Sequence, residues 1–178
     1  MKLGVMSDSH GHLTEMRRAA TRMLEEFGVD MVAHLGDDST DADALRGLVP
    51  ELVSVPGIYE TRYKDPVFPN RVMKDIGGVN FLFTHTPTRD PRDLPGDTDP
   101  TEAAENGEAD VVLYGHTHKP EASEKHGAVY VNPGHIKGSD DRGSPMTFAV
   151  VEILKPRINV KIVELNGGIL DERLFLIE

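Results

Sequence analysis

Cysteine is absent from this 178-residue chain. Disulfides and thiolate metal sites are therefore excluded, and any metal must sit on His, Asp, Glu, Asn or water. Positive charge is scarce: 19 Lys and Arg stand against 30 Asp and Glu, a formal net charge of −11. Such a surface repels nucleic acid and anionic membranes at long range. No basic run or aromatic-basic stripe offers a track for a strand. A small phosphate ester stays compatible with this charge if metal ions reverse it locally. Long apolar runs are also missing. None approaches the roughly 18–20 residues that cross a bilayer, and Asp8 and His10 break any apolar leader at the start. The expected location is cytoplasmic, with no membrane and no nucleic-acid partner.

What is present reads as a globular chain, with 38% hydrophobic and 28% charged residues. The length suggests one domain over 1–178 with a sizeable core. No internal repeat is evident. Short apolar runs bounded by turns predict buried strands at 2–7, 29–35 and 51–55. An amphipathic helix is predicted from Leu13 to Phe27, stopped by Gly28, and a short one from Asp43 to Leu48. This alternation suggests parallel pairing with crossover helices. Strands follow at 71–76 and 79–84 as a hairpin about Gly77-Gly78, then at 110–114, 127–132, 146–154 and 157–165. One further helix is predicted near Pro100–Asn106. The segment 87–100, with four prolines, reads as a long loop, either a solvated connection or an active-site lid. So many strands with so few helices suggest two sheets packed face to face with helices outside.

The carboxylates and imidazoles fall where these strands end. Asp8 and His10 follow the first strand, Asp37 the second, His85 the fifth, and His116 and His118 the run DVVLY. In open α/β sheets that edge binds ligands. Each residue has a plainer reading by itself: a turn residue, a helix cap, a buried hydrogen-bonded histidine. Together, two Asp and four His on one rim suit Mn²⁺, Fe²⁺ or Zn²⁺ better than Ca²⁺.

Asp8-Ser9-His10, Gly36-Asp37, Thr84-His85 and Gly115-His116-Thr117-His118, in this order, resemble the motifs of the calcineurin-like metallophosphoesterases. The chain is most similar to their small prokaryotic phosphodiesterase branch. The motifs span residues 8 to 118, and Asn132-Pro133-Gly134 is a further family-like turn. The resemblance implies an α/β (α+β) four-layer αββα sandwich of two mixed sheets. It implies a binuclear centre of two divalent metal ions, Mn²⁺ first and Fe²⁺, Zn²⁺ or Ni²⁺ as alternatives. One metal would take Asp8, His10, His118 and shared Asp37, the second Asp37, His85 and His116. The implied activity is phosphodiester hydrolysis of a small organic phosphate by in-line attack of a hydroxide bridging the metals. A phosphomonoesterase or nucleotide hydrolase shares that chemistry. A homo-oligomer is a further expectation of the resemblance.

The family's Gly-Asn after the third strand is Gly57-Ile58 here, followed by Tyr59 and Glu60. Ile58 cannot bind a metal, so the second site loses a ligand unless Glu60, Asp38 or water replaces it. This loss keeps open a reading as a non-catalytic interaction scaffold of the same fold. Tyr59 is placed either to contact a phosphate or to pack. His12 and His135 stand near the motifs as exposed loop histidines or as proton donors to a leaving alkoxide. His34, inside the second strand, reads as a buried supporter.

Overall fold

A computed structural model describes residues 1–138 and 143–177 of the chain. In chain order, β1 (Lys2–Met6), α1 (Leu13–Glu25), β2 (Met31–His34) and β3 (Leu52–Ser54) form the first half. A 3-10 turn, Asp41–Leu45, stands where an α-helix from Asp43 was expected. Then come β4 (Arg71–Ile76), β5 (Val79–Thr84), α2 (Pro100–Glu105), β6 (Val111–Leu113), β7 (Glu121–Lys125) and β8 (Ala128–Asn132). Three long strands follow: β9 (Thr147–Leu154), β10 (Arg157–Glu164) and β11 (Ile169–Leu176).

The strands make two mixed sheets, six-stranded in the order β11-β10-β9-β1-β2-β3 and five-stranded in the order β4-β5-β6-β8-β7. Each holds a run of three parallel strands, β1–β2–β3 along one flank of the six-stranded sheet and β5–β6–β8 in the middle of the other. Period-2 alternation drives the layering. Leu3, Val5, Phe81, Phe83, Val111, Leu113, Val151 and Ile158 all enter one core between the sheets. Replacing either buried phenylalanine by Ala would cost about 3–5 kcal/mol. On the outer face of the six-stranded sheet, Met16, Ala19, Ala20 and Met23 of α1 pack on Met6, Val32 and Phe148. On the outer face of the other, Ala103 and Ala104 of α2 pack on Leu82, Val112 and Tyr130.

α1 is shorter than its apolar pattern, ending at Glu25 while Phe27 packs from the turn beyond it. Two edge strands went unpredicted. β7 (EASEK) carries three charges in five residues, and β11 carries Asp171-Glu172-Arg173 at its middle. Edge strands favour such charges because they discourage pairing with other chains. The same charges hide the strand from an apolar pattern. Among the described residues, no helix is long and apolar enough to cross a membrane.

Candidate metal centre

The two parallel runs present their carboxyl ends to the same rim. Backbone hydrogen bonds join the loops there: Asp8 N to Gly36 O at 2.9 Å, Gly115 N to His85 O at 3.0 Å, and Ile136 N to Ser7 O at 3.2 Å. The approach is close enough to require glycine at two positions. A Cβ on Gly57 would overlap the Asp37 carboxylate, and one on Gly115 would overlap Ser7 Oγ and lie 2.8 Å from Asp8 Oδ2.

This rim brings together the two Asp and four His that follow the strand ends. Ligand atoms of Asp8, His10, Asp37 and His118 lie within 4.8 Å of one another, as do those of Asp37, His85 and His116. Asp37 belongs to both groups, with Oδ2 3.8 Å from His10 Nε2 and Oδ1 3.4 Å from His85 Nε2. His118 Nε2 stands 3.2 Å from Asp8 Oδ1 and 3.3 Å from His10 Nε2.

Several observations fit a bound cation. Atoms about 2.0–2.2 Å from one metal stand about 3.0–3.5 Å from each other, close to most of these spacings. Asp8 Oδ1 and His85 Nε2 are buried without a hydrogen-bond partner, although both are polar. Such orphans are costly unless something else satisfies them. His85 Nδ1–H donates to the Leu35 carbonyl at 2.6 Å, which leaves Nε2 as a lone pair aimed at Asp37. Asp8 Oδ2 accepts from His116 N at 3.0 Å, so Oδ1 is the outward oxygen.

Backbone conformation adds to this. Asp8, His10, Asp37, His116 and His118 all have φ between 46° and 67°. The left-handed region costs a side-chain-bearing residue about 1–2 kcal/mol. Among the described non-glycine residues only His126 shares it without being in the cluster. Strain concentrated this way marks a place held for a purpose other than stability.

The carboxyls respond to burial in opposite ways. Burial opposes ionisation of Asp8, but the His118 and His85 imidazoles and Ser7 outweigh it and hold its carboxyl below the ordinary range. At Asp37 burial dominates, with Asp8 adding to it, and the carboxyl is pushed up despite His85, His10 and His116. A divalent cation between them would reverse that penalty.

Supporting residues fix the loops. His34 is buried; Gly36 N donates to its Nδ1 at 3.4 Å, so Nε2–H donates to Ser9 Oγ at 2.9 Å. Ser9 Oγ–H then donates to Asp41 Oδ2 at 2.8 Å, which also accepts from Gly11 N at 2.8 Å. Burial pushes the His34 pKa down to about 4. Asn132 Nδ2 donates to Gly115 O at 2.8 Å and Thr117 Oγ1 at 3.0 Å, holding the Gly-His-Thr-His turn. In the sequence Asp41 is one acid in a run of several, with nothing to mark this role.

The other sequence candidates fall outside the two groups. Glu60 accepts from Gly57 N at 2.5 Å, Ser39 N at 3.0 Å, Ser39 Oγ at 2.5 Å and Asp37 N at 3.2 Å. Its carboxylate is thus a clamp on the Asp37 loop rather than an outward ligand. Ile58 is buried, 3% exposed, and Asp38 is exposed. Tyr59 is 70% exposed, and its ring packs against the Arg92 guanidinium rather than in the core. His135 is buried, with Nδ1 and Nε2 each 3.1 Å from the carbonyls of Lys137 and Ser144. The exposed-loop alternative therefore does not hold for it. His12 is part-exposed at the start of α1, its Nδ1 3.7 Å from Glu15. His126 pairs with Glu105 on the surface.

The family model for the calcineurin-like phosphoesterase superfamily domain matches residues 1–155. The chain belongs to that superfamily. Phosphodiesterase MJ0936 of Methanocaldococcus jannaschii is 25% identical over 151 residues, 78% of this chain and 86% of that one. A Streptococcus pneumoniae protein described as a predicted phosphoesterase has a similar structure, with a TM-score of 0.73 and 24% identity over 98% of this chain and 97% of its own. Vacuolar Protein Sorting 29 of Cryptosporidium parvum superposes equally well, at TM-score 0.73 with 20% identity and the same coverage of both chains. These two likenesses speak to the fold. Membership of a metallophosphoesterase family implies divalent metal ions, and the clustered donors suit them.

Proposed function

We propose that this chain is a metal-dependent phosphodiesterase acting on a small organic phosphate ester. The observation that carries the reading is the pair of ligand groups joined by Asp37. In this assignment Asp8, His10, His118 and Asp37 hold one divalent metal, and Asp37, His85 and His116 hold the second. Mn²⁺ is the expected metal, with Fe²⁺, Zn²⁺ or Ni²⁺ as alternatives, and the cytoplasm is the expected location. Divalent metal ions at such a site lower the pKa of bound water and neutralise charge on phosphate oxygens.

The residues of the chain supply position and charge. Asp37 offers one oxygen to each group, Oδ1 toward His85 and Oδ2 toward His10. The Leu35 carbonyl fixes the His85 tautomer with Nε2 free of its proton. The left-handed loops keep the donors converged before substrate arrives, so little reorganisation is needed. Of the two histidines considered as proton donors to the leaving alkoxide, His12 is the one whose ring nitrogens are not both set against backbone carbonyls.

MJ0936 is called a phosphodiesterase, which supports the diester over the monoester. The buried Ile58 in place of a ligand favours a second reading, an interaction scaffold with a weakened second site. Hydrolysis of bis(p-nitrophenyl) phosphate by protein stripped with chelator and refilled with Mn²⁺ separates the two. Restored turnover supports the enzyme, and bound metal without turnover supports the scaffold.

A further inference from the structure

His10 and Asp37 line a cavity of about 440 Å³ together with Tyr59, Thr61 and Arg62. Tyr59 is unusual among the aromatic residues, because 70% of it is exposed. Exposed aromatic rings on mobile loops are ordinary, but this one is rigidly mounted. Ile58 before it is buried, and Glu60 after it is held by backbone N–H groups of three residues, Asp37, Ser39 and Gly57. One ring face is already taken by the Arg92 guanidinium, 4.7 Å from the ring centroid. Arg92 is itself tied to Asp90 at 3.3 Å. Arg62, which lines the same cavity, is stacked on Phe68 at 4.6 Å and pairs with Asp43 at 3.3 Å.

We propose that Tyr59, backed by Arg92, is a stacking platform that selects phosphate esters carrying a planar ring, an aryl or nucleobase group, beside the phosphate. This rests on the phosphoesterase reading above and names its substrate class. The phosphate sits at the His10–Asp37 end of the cavity and the ring lies on Tyr59. A π-face against an aromatic ring is a sequence-tolerant contact that any planar group can make. Tyr59 is a specificity residue in this scheme, since it touches the leaving group and not the reacting atoms.

The test is calorimetric titration of the Mn²⁺-loaded protein with phenylphosphonate and with methylphosphonate, non-hydrolysable anions that differ chiefly in the ring. The unaltered protein is expected to bind phenylphosphonate about fivefold more tightly. Tyr59→Ala, at a largely exposed position, is expected to bring the ratio to about one, Tyr59→Phe to keep it, and Arg92→Gln to lower it. Equal binding of the two anions by the unaltered protein, or an undiminished ratio in Tyr59→Ala, overturns the platform and leaves the metal centre standing. Binding of neither anion overturns the platform together with the reading beneath it.

Discussion

Acid should weaken this fold through His34 before it touches the surface carboxylates. His34 is buried and neutral, with a pKa pushed by burial down to about 4. In the unfolded chain its value returns to about 6.5. Between those two values the unfolded state binds the extra proton, so stability falls as pH falls. Above about pH 6.5 the residue contributes no pH dependence, and below about 4 its contribution is constant again. At about 1.36 kcal/mol for each pH unit, the full interval corresponds to about 3 kcal/mol, of which about 2 kcal/mol is lost by pH 5. The perturbation is His34→Gln, whose amide can still donate to Ser9 Oγ but cannot be protonated in this range. Urea denaturation of both proteins, stripped of metal with chelator, is followed from about pH 7.5 to about 4.5, a range that brackets most of the titration. The other histidines titrate in both proteins, so they cancel in the difference. The variant is expected to lose about 2 kcal/mol less than the parent between about pH 7 and about pH 5. Parallel curves would refute the assignment of His34 as a buried neutral donor.

Three further outcomes follow from the same geometry. Asp37→Asn removes a carboxylate that burial disfavours; without metal it should be more stable than the parent, and Mn²⁺ should raise its melting temperature far less. Glu60→Gln removes a charged acceptor from the Asp37 loop, so it should cost about 2 kcal/mol in urea denaturation and weaken metal binding seen by calorimetry. Asp93 pairs with Arg71 at 2.9 Å, both side chains 2% exposed, and accepts from Tyr63. Asp93→Asn should cost about 3 kcal/mol and speed tryptic cleavage at Arg89 and Arg92, because the pair pins the segment that carries them.

Much of this architecture is written in local pattern. The β4–β5 hairpin falls on the predicted residues because its apolar runs flank Gly77-Gly78. The convergence of Asp8, His10, Asp37, His85, His116 and His118 was legible because each ends an apolar run, and parallel strands carry such ends to one side. β7 and β11 were not legible, since edge strands bury little and carry charge. In the sequence Glu60 invites a ligand role, as an acid beside a missing Asn. Its clamp depends on backbone N–H groups at residues 37, 39 and 57, whose meeting no side-chain pattern encodes. The left-handed φ angles of the cluster are only faintly signalled by residue type, because Asp and His enter that region more often than most side chains yet still seldom.

The central claim, a two-metal centre joined through Asp37, is met most directly by counting metal. The protein is stripped, refilled with Mn²⁺, desalted and assayed by elemental mass spectrometry beside bis(p-nitrophenyl) phosphate hydrolysis, with Asp37→Asn in parallel. Two metals for each parent chain with turnover, and loss of both metal and turnover in folded Asp37→Asn, is the predicted result. Unchanged metal content and activity in folded Asp37→Asn would contradict it.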